Sequence, residues 1–171
     1  MNAALLSPVT SFLDNQLGDT LVAAFIYGSV AAGRNHSESD IDCFVLTGSE
    51  VARDTRQHVG RGFAELQRQL GFTPDPDYPI EIFSVATCEF LLADTLLDTA
   101  IWGAAIAGTI DAVLAESDAV EVLRALLDRR LVIRPARELD QLTARAYVVL
   151  HRRPADVVRL RRALGLTGEA R

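Results

Sequence analysis

The stretch that decides the fold of this chain is Phe25-Ile-Tyr-Gly-Ser-Val-Ala-Ala-Gly-Arg-Asn-His-Ser-Glu-Ser-Asp-Ile-Asp-Cys-Phe-Val-Leu46. It joins the end of one apolar run, residues 21–27, to a second apolar run, residues 43–46, through a polar segment rich in glycine, serine and aspartate. Short apolar runs bounded by turn residues are typical of buried strands. The stretch therefore predicts two strands with a loop between them.

Two aspartates, Asp40 and Asp42, open the second run. Alternate side chains of a strand point to one face, so both carboxylates should project together while Ile41 points the other way. Adjacent carboxylates repel each other, and a divalent cation between them makes the arrangement favourable. A pair of surface aspartates is the alternative interpretation.

Gly28 and Ser29 end the first run, with ten residues between them and Asp40. Glycine lets the backbone turn tightly and approach a ligand. Successive backbone N–H groups in such a turn can bind phosphate oxygens, and Ser29 adds a hydroxyl donor. A phosphate cradle facing a metal-binding carboxylate pair is the layout expected for two-metal phosphoryl or nucleotidyl transfer. Either half alone would indicate only a turn or two surface acids.

The pattern Gly28-Ser29-x10-Asp40-x-Asp42 resembles the signature of the DNA-polymerase-beta-like nucleotidyltransferase superfamily. The fuller string Gly-Ser-Val-Ala-Ala-Gly-Arg, followed by Ser-Asp-Ile-Asp, resembles its minimal nucleotidyltransferase branch, which includes antitoxins. The resemblance covers about residues 20–86. One position departs from the family pattern: an arginine often precedes the second glycine, where this chain has Ala32, with Arg34 two positions later.

The resemblance implies a third carboxylate on the next strand of the sheet. Glu81 matches that position, between Ile80 and Ile82, with glutamate in place of the usual aspartate. A buried acid in an apolar strand needs a partner or a ligand. A strand glutamate facing solvent is the alternative, and Asp75 and Asp77 in the preceding loop are the other candidates.

The resemblance also implies a mechanism. Asp40 and Asp42 would bind two Mg²⁺ ions, and Glu81 would complete the metal site and help deprotonate the acceptor hydroxyl. Gly28 and Ser29 would hold the phosphates of the nucleoside triphosphate. The expected enzyme transfers a nucleoside monophosphate, namely AMP from ATP, to a hydroxyl group of a partner protein. Minimal nucleotidyltransferase antitoxins do this with a partner toxin.

Two other functions stay open. An enzyme that modifies a small hydroxylated substrate, as aminoglycoside nucleotidyltransferases do, is one. An inactive nucleotidyltransferase scaffold that acts only by binding is the other, and Ala32 and Glu81 make it conceivable. The apolar residues 101–114 would suit a homodimer or hetero-complex interface.

Composition bounds these possibilities. The 171 residues fit one domain, or one domain with a helical appendage, and no apolar run approaches the length of a membrane span. Residues 1–123 hold 5 arginines against 18 acidic residues, whereas residues 124–171 hold 12 arginines against 5. The overall acidic balance disfavours nucleic-acid binding. Two cysteines without metal-ligand spacing and the absence of a recognisable secretory signal favour a reducing cytoplasm.

We predict an α/β fold with a small mixed sheet of nucleotidyltransferase type, helices on one side and a C-terminal helical extension. The expected division is a nucleotidyltransferase domain, residues 1–115, and the extension, residues 116–171. Expected strands are 20–27, 41–47, 79–85 and one near 109–114. A helix should run from Ser7-Pro8 to Gly18, and others should cover 47–71, 87–97, 118–128, 135–150 and 154–164.

Overall fold

The sheet has four strands in the order β3-β2-β1-β4. It is seen in a computed structural model that describes residues 2–36, 38–93 and 118–151. The strands are β1 (Leu21–Ile26), β2 (Cys43–Thr47), β3 (Glu81–Ser84) and β4 (Leu131–Arg134). Strand β1 is antiparallel to both β2 and β4, whereas β2 and β3 are parallel. The sheet is therefore mixed, as predicted.

Six helices accompany the sheet in the described ranges: α1 (Asn2–Leu17), α2 (Gly28–Ala31), α3 (Arg53–Gln69), α4 (Val85–Ala93), α5 (Asp118–Leu127) and α6 (Arg137–His151). A 3₁₀ turn, Gly18–Thr20, joins α1 to β1. The chain divides into two compact units, Met1–Ala86 with Arg129–Leu139, and Thr87–Asp128 with Asp140–Arg171. The first unit contains the whole sheet.

Strand β1 lies between two partners because nearly all of its side chains are apolar and can be buried. Its residues are buried with the exception of Val22. A strand covered on both faces cannot alternate with polar residues. The unbroken apolar run therefore correctly predicted a central strand.

Helices α1 and α3 pack on one face of the sheet. Leu5, Val9 and Leu13 recur every four residues along α1 and are buried in the same core cluster as Val59 and Phe63 of α3. This spacing is that of a single helical face. From the sheet, the cluster takes Leu21, Ala24 and Ile26 of β1, Cys43 and Val45 of β2, and Ile82 of β3.

Aromatic rings line the other face. The Phe25 and Phe44 rings stack with centroids 5.1 Å apart, and Phe44 stacks on Phe83 at 5.5 Å. Because alternate residues share a face, Asp42 shares the face of Phe44 and Glu81 shares the face of Phe83. The carboxylates therefore project from the side of the sheet away from α1 and α3.

Three element boundaries differ from the sequence-based predictions. Helix α1 begins at Asn2 rather than at Ser7-Pro8, with Pro8 inside it, because Leu5 adds a further turn to the buried face. Helix α3 begins at Arg53 rather than near residue 47, since Thr47 is still paired within the sheet. Strand β2 begins at Cys43, so the segment 40–42 precedes the strand.

The fourth strand lies at Leu131–Arg134, where the sequence predicted no strand. The predicted strand near 109–114, the predicted helix 154–164 and the domain boundary at 115/116 lie outside the described residues, and the division into domains stays a prediction. In the described ranges, no helix combines the length and the apolar character that a membrane crossing requires.

Candidate active site

A turn at the end of β1 brings the backbone against an aspartate. Gly28 has a φ of +67°, a conformation that side chains disfavour. A Cβ atom added there would overlap Oδ2 of Asp42 and lie only 2.8 Å from its Cγ. The Tyr27 N–H donates a hydrogen bond to the Asp42 carbonyl oxygen at 3.0 Å, which extends the β1–β2 ladder by one step. Only glycine allows this approach.

Ser29 follows in the short helix α2, and hydrogen bonds fix the turn around it. The Ala32 N–H donates to the Gly28 carbonyl at 3.1 Å, and the Arg34 N–H donates to the Ser29 carbonyl at 2.9 Å. Gly33, with φ +68°, lets the chain leave the turn. Ser29 is half-buried and Arg34 is exposed, so the turn keeps Ser29 partly accessible next to Gly28.

Asp40 and Asp42 flank a residue that is anchored in the core. The Ile41 side chain is 1% exposed and belongs to the core cluster, whereas both aspartates are half-buried. The two aspartates therefore flank a residue whose position is fixed by packing in the core.

Glu81 begins β3, and its neighbours Ile80 and Ile82 are buried in the core cluster. Its backbone pairs in register with Phe44, two residues after Asp42. Two residues of strand span about 7 Å. The Glu81 side chain is one methylene longer than that of an aspartate, so its carboxylate extends further from the backbone. Glu81 is half-buried and its Oε2 is fully buried, so this carboxylate is not a fully solvated surface group.

The pKa of the Cys43 thiol reflects the charges of the site. Burial raises the pKa of Cys43 well above its ordinary value, and the nearby carboxylates of Glu81 and Asp42 raise it further. Both carboxylates thus lie close enough to the start of β2 to disfavour a negative charge there. The structure brings Asp42 and Glu81 to the same end of β2.

The sequence of this region matches a known family. Residues 9–99 match the model of the family described as polymerase beta, nucleotidyltransferase. The chain belongs to this family. The match spans every residue placed in the candidate site, from Gly28 to Glu81. No curated protein matches the chain.

Two solved structures share the nucleotidyltransferase fold along nearly the whole chain. A crystal structure of a toxin-antitoxin with AMP-PNP aligns with a TM-score of 0.52 and 12% identity, covering 94% of this chain and 94% of that one. A mutant of the toxin-antitoxin MntA-HpeT, with two aspartates changed to glutamate, aligns with a TM-score of 0.53 and 11% identity, covering 93% and 94%. These similarities concern the fold, which is consistent with the minimal nucleotidyltransferase branch.

The donor set of this nucleotidyltransferase fits a hard divalent cation. The described residues contain no group of three His, Cys, Asp or Glu side chains close enough to hold a metal by themselves. Mg²⁺ is usually bound by one or two carboxylates together with substrate phosphates and water rather than by an all-protein cage. The carboxylate oxygens of Asp42, against the Gly28 turn, and of Glu81, at the same end of β2, are donors of that kind. The three-carboxylate metal site with Asp40 stays a prediction.

The other acidic candidates have different surroundings. Oδ1 of Asp75 accepts hydrogen bonds from the backbone N–H groups of Asp77 and Tyr78, both at 2.8 Å, and so stabilises its own loop. Asp77 is exposed. These contacts account for Asp75 as a turn residue.

Sequence reasoning missed Gln67. Its side chain is fully buried, and it forms hydrogen bonds with the backbone of Ile41 and of Pro79. The missed signal is its position four residues after Phe63 and eight after Val59, which places it on the buried face of α3. A polar residue on an apolar helix face needs hydrogen-bond partners, and those partners can lie at a site.

Proposed function

We propose that this chain is a Mg²⁺-dependent nucleotidyltransferase that moves AMP from ATP to a hydroxyl group of a partner protein. The observation that carries the proposal is the close approach of the Gly28 backbone to the Asp42 carboxylate. A turn suited to phosphate and a carboxylate suited to a cation then face each other directly. Family membership supports the transfer chemistry.

Each residue has a role in this proposal. Gly28 lets the turn approach the phosphates closely, and the Ser29 hydroxyl donates a hydrogen bond to a phosphate oxygen. Asp42, Glu81 and Asp40 would hold Mg²⁺, which when bound supplies Lewis-acid stabilisation of the charge on the phosphates. Glu81 accepts the proton of the acceptor hydroxyl. The acceptor oxygen forms its bond to the α-phosphorus as the bond from that phosphorus to the bridging oxygen breaks, and pyrophosphate leaves.

The nucleotide and the partner are inferred from the structural relatives. One relative was crystallised as a toxin-antitoxin with the adenine nucleotide AMP-PNP, and the other is also a toxin-antitoxin. Both align over more than nine-tenths of either chain, so the likeness extends beyond the catalytic segment. We accordingly propose ATP as the donor and a toxin protein as the acceptor. Cys43 and Cys88 are buried thiols rather than halves of a disulfide, which supports a reducing cytoplasm.

Radiolabel transfer tests the proposal. The wild-type protein, Asp42→Asn and Glu50→Gln are each incubated with Mg²⁺, α-³²P-ATP and a lysate of the source organism. Glu50 is the matched control, because it is an acid close to the other end of β2 and is already engaged by Ser84 and Arg56. We expect label in one protein band with the wild type and Glu50→Gln, and a loss of about 1,000-fold with Asp42→Asn.

The other outcomes separate the parts of the proposal. Asp42-dependent label in a small molecule or in RNA would overturn the protein acceptor and keep the transfer chemistry. Label of equal strength with Asp42→Asn would overturn the active site. Neither label nor binding of Mg-ATP by the wild type would overturn the enzyme altogether and leave the inactive scaffold.

A further inference from the structure

Among the described residues, one glutamine is buried in the core, and it lies next to the candidate site. Gln67 is in the last turn of α3 and is 0% exposed, on the face that also buries Val59 and Phe63. Burying an amide is unfavourable unless its donor and acceptor are both satisfied. Gln67 satisfies both, and its partners are two backbone groups far apart in sequence.

One partner lies between the two aspartates. Oε1 of Gln67 accepts a hydrogen bond from the Ile41 N–H at 2.7 Å. Strand β2 begins only at Cys43, so Ile41 lies before the regular strand. The Gln67 side chain therefore accepts the hydrogen bond from the Ile41 N–H that a neighbouring strand would accept in a regular sheet.

The other partner lies two residues before Glu81. Nε2 of Gln67 donates to the Pro79 carbonyl oxygen at 3.0 Å. Helix α3 also contacts Pro79 at Gly60, where an added Cβ would lie 3.4 Å from Cγ of the proline. The approach to β3 is thus fixed against α3 at two points, one polar and one apolar.

The amide spans a gap that the sheet leaves open. The parallel ladder of β2 and β3 starts at Phe44 and Glu81, and the two segments that precede these residues are outside the ladder. A further backbone bond, from the Thr73 N–H to the Ser39 carbonyl at 3.0 Å, joins the same two loops near Asp40. Gln67 lies between that bond and the start of the ladder.

We propose that Gln67 is a positioning residue, which fixes the Asp40-Ile41-Asp42 segment and the start of β3 relative to each other. Asp42 and Glu81 repel each other when no cation lies between them. Two hydrogen bonds from one rigid, buried amide hold their backbones against that repulsion. The inference rests on the proposed function, since the carboxylates need a fixed spacing only if they share a ligand.

Loss of the amide should weaken the site as well as the fold, because the Ile41 N–H and the Pro79 carbonyl would both lose their hydrogen-bond partner. Outer groups that orient metal-binding side chains typically change metal affinity or activity by about 10- to 100-fold when they are removed. Gln67→Met keeps the length and the packing of the side chain but removes both hydrogen bonds. Gln67→Asn keeps the amide but is one methylene too short to reach both partners.

The test measures Mn²⁺ affinity, with Mn²⁺ as a spectroscopic substitute for Mg²⁺, together with hydrogen exchange of the Ile41 amide. Phe63→Leu is the matched control, because Phe63 lies one helical turn earlier on the same buried face and its change disturbs packing alone. We expect both Gln67 variants to bind Mn²⁺ about 10- to 100-fold more weakly and to exchange the Ile41 amide faster. Phe63→Leu should melt earlier and keep wild-type Mn²⁺ affinity.

Two failures are distinguishable. Wild-type Mn²⁺ affinity in folded Gln67→Met or Gln67→Asn would overturn the positioning role and leave the proposed function intact. Weakening of the same size in Phe63→Leu would show that the effect comes from general destabilisation, and it would also overturn the role. Absence of Mn²⁺ binding by the wild-type chain, both without and with ATP, would overturn the proposed function itself.

Discussion

Both ends of β2 bring a Gly-Ser dipeptide close to a carboxylate, and the two ends are built differently. At the first end, Gly28 turns with a positive φ and its backbone lies against the Asp42 side chain. At the second end, Gly48 and Ser49 follow the strand directly, and Glu50 comes next. A Cβ added to Gly48 would make an ordinary contact, 3.5 Å from Val22 Cγ2.

The carboxylate at the second end is engaged by its own chain. Ser84 Oγ donates a hydrogen bond to Oε1 of Glu50, and Arg56 forms an ion pair with Oε2 at 3.3 Å. The hydroxyl of Thr47 donates to the Ser49 carbonyl at 2.9 Å. These contacts make the second end a structural connection between β2, β3 and the start of α3.

The comparison shows that residue types alone do not define a site. Glycine, serine and an acid occur together at both ends, so their presence is not the distinguishing property. Two properties differ. The positive φ of Gly28 and its lack of a Cβ let the Asp42 carboxylate lie against the backbone, which Gly48 does not require, and the surroundings of the two acids are different. Substitutions at matched positions can test this difference.

The largest effect is expected from Gly28→Ala. The new methyl group would overlap the Asp42 carboxylate and force it or the turn to move, and a displacement of about 1 Å at a reacting centre can reduce a rate about 100-fold. We therefore expect AMP transfer to fall at least about 100-fold. Gly48→Ala should leave the rate within about twofold, because its Cβ has room. Initial rates of label transfer measure both.

A second control separates the overlap from backbone strain. Gly71 has a φ of +84° and nothing within 4 Å of an added Cβ, so Gly71→Ala has the strain without the overlap. It should lower the free energy of unfolding by about 1 kcal/mol and leave the transfer rate nearly unchanged. Equal losses of activity in Gly28→Ala and Gly71→Ala would show that the approach to Asp42 has no special role.

The features that sequence reasoning located are those in which the signal is local. The apolar run of β1 predicted a central strand, the Gly-Ser and Asp-x-Asp pattern predicted the family, and alternation around Glu81 identified a strand. The family and the fold are confirmed. The roles of the individual site residues stay predictions, although the structure brings Asp42 and Glu81 to one end of β2.

The features that were missed depend on contacts distant in sequence. Strand β4 is four residues long and pairs with β1, which lies more than 100 residues earlier, so no local pattern indicates it. Pro8 resembles a helix start, and only the tertiary burial of Leu5 extends α1 beyond it. Gln67 was missed because its polarity hides its place on an otherwise apolar helix face.

A smaller effect should be visible in the pH dependence of stability. At the first end of β2, the pKa of Cys43 is raised by burial and then by the carboxylates of Glu81 and Asp42. A folded-state pKa above the unfolded value of about 8.5 means that the stabilisation is complete below pH ~8.5 and is lost as the pH rises towards the folded value. Between pH 7 and 9.5 the wild type should therefore lose more of its free energy of unfolding than Cys43→Ala does.

Urea unfolding of both proteins at the two pH values, without divalent cations, measures that difference. The comparison with Cys43→Ala cancels every other titrating group, including Cys88. A parallel pH dependence of the two proteins would contradict the raised pKa of the buried Cys43 thiol.

The smallest effect is expected at the second end of β2, where the Ser84–Glu50 contact should affect stability without affecting transfer. A double-mutant cycle with Ser84→Ala and Glu50→Ala should give a coupling free energy of about 1 kcal/mol, because the Ser84 hydroxyl is buried but the Glu50 side chain is 60% exposed and partly screened by water. Arg56→Gln should change stability by less, about 0.5 kcal/mol, and the effect should vanish in high salt. Transfer rates of all these variants should remain close to the wild-type rate. A clear fall of the transfer rate in Ser84→Ala would show that the contact at the second end also supports the site at the first end. The two ends of β2 would then be one functional unit rather than a structural end and a catalytic end.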